Sequence, residues 1–332
     1  MEMKLGSYRI QIAREYQISN AMPKIYNAKG QLLETYFIRN RHSQHAPFGH
    51  EGQYFFWDRY NYGLDIHFYG PEVMTKTLGH PTVKYGMLTE SRVIVPKDYE
   101  VFHKHKGLEK DFKYIFTYDE QILNEIENAR FYPIAAGIWN AELKENLYQN
   151  KEKDISILCS DKVMCPLHQF RLELARKCKM EQLAQTFGKF DGGSYVKNVD
   201  ECLDTFRFSI VIENDISDYY FSERLTSCFA AQTIPVYLGA RKISEFFNPD
   251  GIIFLPGMDL DQAETILAQC TKETYEERLP AVLDNYNRVQ EYRNMQDYLY
   301  EHYLSQSESR SDSSCRAATS MSGHGLRQPN TQ

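Results

Sequence analysis

Residues 206–255 read FRFSIVIENDISDYYFSERLTSCFAAQTIPVYLGARKISEFFNPDGIIFL. Phe206, Phe208, Ile210 and Ile212 alternate through an apolar run, the signature of a buried strand. Glu213-Asn214 ends it, and a polar and aromatic loop follows. Ser222 then stands where a helix N-cap belongs, because its hydroxyl can accept from first-turn amides. Leu225, Cys228 and Phe229 keep helical spacing over a helix predicted at 223–232. A second strand is predicted at 234–239 and a third at 252–255. This layout brings a carboxylate, an amide, a guanidinium and a helix start to one sheet edge. Ligands bind beyond the carboxyl ends of strands in such α/β sheets.

The same alternation extends upstream. Residues 155–159 and 183–187 read as strands, with Gly188 ending the second, and 167–180 read as a helix. Downstream, 261–269 and 274–303 read as helical. Strand and helix in turn imply a parallel sheet covered on both faces. The first half repeats the theme more faintly. Strands are expected at 64–68, 83–88, 114–118 and 131–136, a short extended piece at 91–95, and a helix at 121–128. The charged stretch AELKENLYQNKEKD, residues 141–154, reads as a linker. The division is then a first domain at 1–145, a second at 155–304, and a Ser-rich tail at 305–332 whose composition predicts disorder.

Bulk properties narrow the function. With 332 residues the chain exceeds one comfortable core, so two domains are expected. A net charge of −7 disfavours a nucleic-acid partner, although local basic groups can hold a single nucleotide. The 24 tyrosines and 19 phenylalanines fit either a sugar-stacking surface or aromatic packing. The seven cysteines show no CxxC pair and no metal-ligand spacing, which reads as reduced, buried thiols. No leader and no long apolar run is present, so a cytosolic protein is expected. GKFDGGS at 188–194 has the wrong spacing for a dinucleotide fingerprint, which weakens an oxidoreductase reading.

The motifs together resemble glycosyltransferase family 10, the α-1,3-fucosyltransferases, and the bacterial members in particular. The resemblance rests on Ile212-Glu213-Asn214, Tyr220, Ser222-Glu223-Arg224, Pro235-Val236-Tyr237-Leu238-Gly239 and Phe247-Asn248-Pro249. Arg224 and Ser222 stand where that family has Lys and Thr, and residues up to 78 do not match it. The resemblance implies a GT-B type α/β fold, two Rossmann-like domains facing a cleft. It implies inverting transfer of L-fucose from GDP-fucose to a glycan hydroxyl. It implies Glu90, in KYGMLTESRV, as the base, and Arg171, in HQFRLELARK, as a diphosphate contact with Arg224. Asn214 and Tyr220 would touch the donor, and Lys197 is a lesser phosphate candidate. Glu223 is expected either to hold ribose hydroxyls or to steady the electron-poor sugar ring. No DxD-type acidic pair occurs, so no metal or other cofactor is expected. The partners implied are GDP-fucose and an oligosaccharide acceptor, with the enzyme at the inner face of a membrane where lipid-linked glycans are built. Another nucleotide sugar on the same fold, or a non-catalytic nucleotide- or sugar-binding protein, remain open alternatives.

Overall fold

The structure is a computed structural model, and it describes residues 2–5, 8–11, 26–27, 29–40, 52–59, 61–77, 82–133 and 137–305. The predicted tail beyond 305 lies outside the described residues, as do 134–136 at the end of the strand predicted at 131–136. The strands in chain order are β1 Glu2–Leu5, β2 Tyr8–Gln11, β3 Glu34–Arg39, β4 Phe55–Asp58, β5 Ile66–Tyr69, β6 Val83–Leu88 and β7 Tyr114–Thr117. They continue with β8 Ala129–Phe131, β9 Lys153–Leu158, β10 Gln185–Phe187, β11 Phe206–Ile212, β12 Ile234–Leu238 and β13 Ile253–Phe254. β1 and β2 form a small antiparallel pair. The others make two parallel sheets, β4-β3-β5-β6-β7-β8 and β10-β9-β11-β12-β13. This is the two-sheet α/β arrangement of the GT-B fold.

Three apolar layers hold the sheets. One covers a face of the second sheet and takes Phe208, Ile210 and Ile212 from β11, with Phe170, Leu174 and Cys178 from helix Pro166–Glu181. Val211 points the other way, into a layer that also contains Tyr36, Phe55, Phe68, Tyr85 and Phe116 of the first sheet. One apolar cluster therefore runs from sheet to sheet. A strand buried on both faces reads as a continuous apolar run, which is why β11 was legible. The third layer lies on the far face of the first sheet around Phe37, Tyr69, Leu88 and Ile115.

The aromatic surplus goes mainly into the interior. Tyr36 stacks on Phe55 at 4.7 Å and Phe68 on Tyr85 at 4.9 Å between ring centroids. Such pairs add about 0.5–1.5 kcal/mol beyond the area they bury. The six described cysteines are free and buried.

Three sequence expectations are corrected. Residues 91–95 are a turn, not a strand: Ile94 and Val95 both donate their amides to the Ser91 carbonyl at 3.0 Å. The helix expected at 274–303 is broken into Lys272–Glu277, Leu279–Arg288 and Met295–Leu299 with tighter and wider turns between and after them. Its last part crosses to the first sheet. Asp297 Oδ1 accepts from Gln53 N at 2.7 Å, Tyr300 stacks on Tyr54 at 4.3 Å, and the Tyr303 hydroxyl donates to the Phe131 carbonyl.

The segment expected to be a linker is fastened instead. Lys144 pairs with Asp204 at 2.5 Å, and Tyr148 N donates to Gln232 Oε1 at 2.9 Å. Lys151 is 7% exposed and donates to Leu203 O at 3.0 Å, Ala231 O at 2.7 Å and Thr233 Oγ1 at 2.9 Å. Burial lowers its pKa to about 7, against the pull of Asp204. Lys151→Met should leave those acceptors short of a donor and cost about 1–3 kcal/mol. A guanidinium denaturation midpoint checks this; no shift in the midpoint would show that the ammonium is not needed there.

Candidate functional site

The site lies where the carboxyl ends of both sheets approach each other. From the second sheet, β11 ends in Glu213. This carboxylate is fully buried and holds the start of helix Glu223–Ala230. Its Oε1 accepts from Ser222 N at 2.9 Å and its Oε2 from the Ser222 hydroxyl at 2.6 Å. The same hydroxyl accepts from Arg224 N at 3.4 Å, so Ser222 caps the helix as the sequence predicts. Burial pushes the Glu213 carboxyl up to about 7 against the pull of Arg224 and the two bonds from Ser222. The sequence shows Glu213 only as the end of a strand; its partner nine residues on is a tertiary fact.

Glu223 and Arg224 follow in the first turn. Glu223 is 6% exposed, and burial raises its pKa, against Arg224 and with the help of Glu90. The Arg224 guanidinium leans back to Ser222 Oγ at 3.4 Å and Glu223 Oε1 at 3.5 Å, and lies 5.8 Å from the centre of the Trp139 ring. Burial alone would lower its pKa, but Glu223, Glu213, Tyr220 and Glu90 outweigh it. It does not reach Asp218, which is held by Arg241 at 2.8 Å and Lys242 at 3.0 Å.

Arg171 sits on the inner side of helix Pro166–Glu181, 5% exposed. Nη1 donates to the Ile212 carbonyl at 2.9 Å, and Nε is buried without a partner. Among the described residues no carboxylate lies within salt-bridge distance of it. Burial, and then the nearby Arg224, lower its pKa to about 10. The buried Arg171 thus feels a second cation, Arg224, and this repulsion costs free energy until an anion joins them.

Glu90 comes from the first sheet, two residues past β6. It is half-buried, and a carboxyl oxygen accepts from Ser91 N at 2.8 Å. Its loop is braced. The Tyr99 hydroxyl donates to the Glu90 carbonyl. Arg92 forks onto Asp119 with two bonds of 2.6 Å, lies 4.6 Å over the Tyr99 ring, and donates its backbone amide to the Tyr118 hydroxyl at 2.7 Å. Tyr118 in turn packs on Tyr220 at 4.9 Å. Beside Glu90 is a small recess of about 30 Å³ whose lining includes Asn40, Thr89, Asp98 and Tyr99. Among the described residues no cluster of His, Cys, Asp and Glu could hold a metal ion.

The structure therefore brings together Glu90, Glu223, Arg224 and Arg171, whose charges each perturb another member of the group. Asn214 is adjacent, its Oδ1 held by His168 Nε2 at 2.7 Å. Tyr220 is 3% exposed and belongs to the outer core of the first sheet, so its ring serves packing there. Lys197 is exposed on the loop after β10 and makes no contact with the group among the described residues. Sequence reasoning missed His168, one helical turn before Arg171 on the same inner face, and the Arg92–Asp119 fork. The spacing H-x-x-R was the available signal for the first; nothing local signals the second.

No family model matches the chain. The Helicobacter pylori alpha-(1,3)-fucosyltransferase FucT is 31% identical over 61 residues, which is 18% of this chain and 13% of that protein. Among solved structures, Anabaena HepE in complex with UDP-glucose superposes with a TM-score of 0.52 at 7% identity, over 73% of this chain and 79% of that one. A point mutant of S. aureus TarM in complex with Fondaparinux, alpha-GlcNAc-glycerol and UDP gives 0.50 at 15% identity, over 74% and 55%. An alpha1,3-fucosyltransferase crystal structure gives 0.46 at 14% identity, over 83% and 94%. The likenesses to HepE and to TarM show the GT-B fold. No helix among the described residues is long and apolar enough to cross a membrane.

The buried Glu213 makes a stability prediction. Its folded pKa, about 7, lies above the unfolded glutamate value of about 4.3. The folded state then holds a proton the unfolded chain has released between those values, so its contribution is present at low pH and lost as pH rises through about 7. Glu213→Gln should gain on wild type across that window, and Glu213→Ala should be less stable than both. Urea midpoints from pH 4 to 8 decide it; a constant difference between wild type and the Gln variant would contradict the assignment.

Proposed function

We propose that the protein is an inverting glycosyltransferase that moves a sugar, L-fucose from GDP-fucose, to a hydroxyl of a glycan. The observation that carries this reading is the Arg171–Arg224 pair. Arg171 is buried, repelled by its neighbour and short of a partner at Nε. Guanidinium forks match diphosphate oxygens. The short segment of likeness to the fucosyltransferase supports fucose as the sugar and GDP as the carrier.

The chemistry follows from the charges. A sugar hydroxyl is a poor nucleophile, so Glu90 takes its proton as the oxygen attacks the anomeric carbon. The new C–O bond forms as the bond from that carbon to the β-phosphate oxygen breaks. The electron pair leaves with GDP, and Arg171 and Arg224 bind the charge it gains. These cations supply the positive field that a bound metal supplies elsewhere, so transfer should persist in EDTA. Attack from the Glu90 side and departure toward the arginines put the two events on opposite faces of the sugar, hence inversion. Glu223 lies in the field of both Arg224 and Glu90. A loss in kcat for Glu223→Gln would assign it to the sugar ring; a rise in KM alone would assign it to the ribose.

HepE was solved with UDP-glucose, so a uridine donor is the competing reading on the same fold. A screen of nucleotide sugars by thermal shift, followed by nucleoside diphosphate release with N-acetyllactosamine and related glycans, separates the two. GDP-fucose should raise the Tm and release GDP. Glu90→Gln should keep donor binding and lose about 10²–10⁴ in kcat. Arg171→Lys, which keeps charge but not the fork, should lose about 10²-fold. Release of UDP in place of GDP would move the assignment to the uridine donor. No release from any donor would leave a binding protein.

A further inference from the structure

His168 is 4% exposed, in the first turn of helix Pro166–Glu181. Its two ring nitrogens have different partners. Nδ1 receives the backbone amide of Met164 at 3.1 Å, and Nε2 lies 2.7 Å from Asn214 Oδ1. An amide N–H only donates, so Nδ1 must be an acceptor and carry no proton. The ring is then neutral with its hydrogen on Nε2, and Nε2 donates to Asn214 Oδ1. The orientation of Asn214 follows from this chain of roles. Its oxygen is spoken for, and among the described residues its amide nitrogen donates to nothing. Cys165 Sγ on the Asn214 carbonyl, at 3.4 Å, holds the backbone as well.

We propose that His168 is a positioning residue, fixing Asn214 so that its two amide hydrogens are offered to an oxygen acceptor of the bound nucleotide sugar. This rests on the reading of the site as a nucleotide-sugar site. Protonation of His168 would undo the arrangement, because an imidazolium cannot accept from Met164 N. The charges that act most on the ring are cationic: Arg171 on its own helix, Arg224 on the neighbouring one, and Lys162 on the loop before it, while the carboxyl of Glu213 adjoins Asn214. Burial first, and then these cations, hold the ring below the ordinary imidazole range, against the bond to Asn214. The device is therefore set at neutral pH and fails only in acid.

Two substitutions separate positioning from packing. His168→Gln keeps a donor where Nε2 stood and cannot titrate. His168→Asn keeps an acceptor where Nδ1 stood and releases Asn214. GDP affinity is measured by calorimetry from pH 5 to 8. At pH 7.5 the Asn variant should bind about tenfold more weakly, the loss of one hydrogen bond to a charged ligand, and the Gln variant should bind within about twofold of wild type. The ratio of wild type to Gln variant cancels the titration of the phosphate itself, and it should fall only in acid, below the ordinary imidazole range. Nitrogen-15 spectra of the free wild-type protein should show the Nε2–H tautomer. An Nδ1–H tautomer, an Asn variant that binds like wild type, or a pH-independent ratio would each overturn the proposal. No GDP binding by wild type at any pH would overturn the donor reading instead, and the ring tautomer would still decide the positioning claim.

Discussion

The carboxylate of Glu213, buried at the end of β11 and clasping both the amide and the hydroxyl of Ser222, is the constraint on which the site depends. It closes the loop between strand and helix, and so fixes where Glu223 and Arg224 stand. Burying a carboxyl in this way costs free energy, which shows in its raised pKa. Two short hydrogen bonds offset part of that cost. The arrangement is stiff because Ser222 is committed twice, to the carboxylate and to the first turn of the helix. Removing the carboxyl would free the loop that carries Tyr219 and Tyr220 against the first sheet.

That loop is also the hinge of the electrostatics. One apolar cluster continues from sheet to sheet, and Tyr220 plugs into the far core of the first. The joint is reinforced by Lys242, which lies 3.0 Å from Asp218 and 3.6 Å from Glu120 of the first unit. The C-terminal turns return to the first sheet through Asp297, Tyr300 and Tyr303. Glu90 is thus held near Arg224 by packing at several places, with no ion pair between them among the described residues.

Much of this was legible in the sequence where structure is local. The bounds of β11 match their prediction residue for residue, and Ser222 caps its helix as expected. Parallel strands buried on both faces give near-continuous apolar runs, and the turn residues that bound them separate them from buried helices. The reading failed where distant partners decide. Val93, Ile94 and Val95 favour a strand by type, but the Ser91 carbonyl turns the chain. Lys151 looks like a linker residue until its three internal acceptors are seen. Asp297 meets Gln53 across 244 residues of chain. In the site, Arg224 stands out by its place in the first turn of a helix, and Arg171 and Glu90 come through resemblance, while the spacing H-x-x-R is the signal for His168 and nothing local signals the Arg92–Asp119 fork.

The central claim is geometric: an acid from the first sheet and two arginines from the second address one ligand from opposite sides. A crystal structure with GDP-fucose, or with a non-hydrolysable analogue, tests it most directly. The diphosphate oxygens should lie within hydrogen-bond reach of Arg171 and Arg224, with the Glu90 carboxylate across the anomeric carbon from them. A diphosphate bound away from both arginines, or a Glu90 on the same side of the sugar as the leaving group, would contradict it.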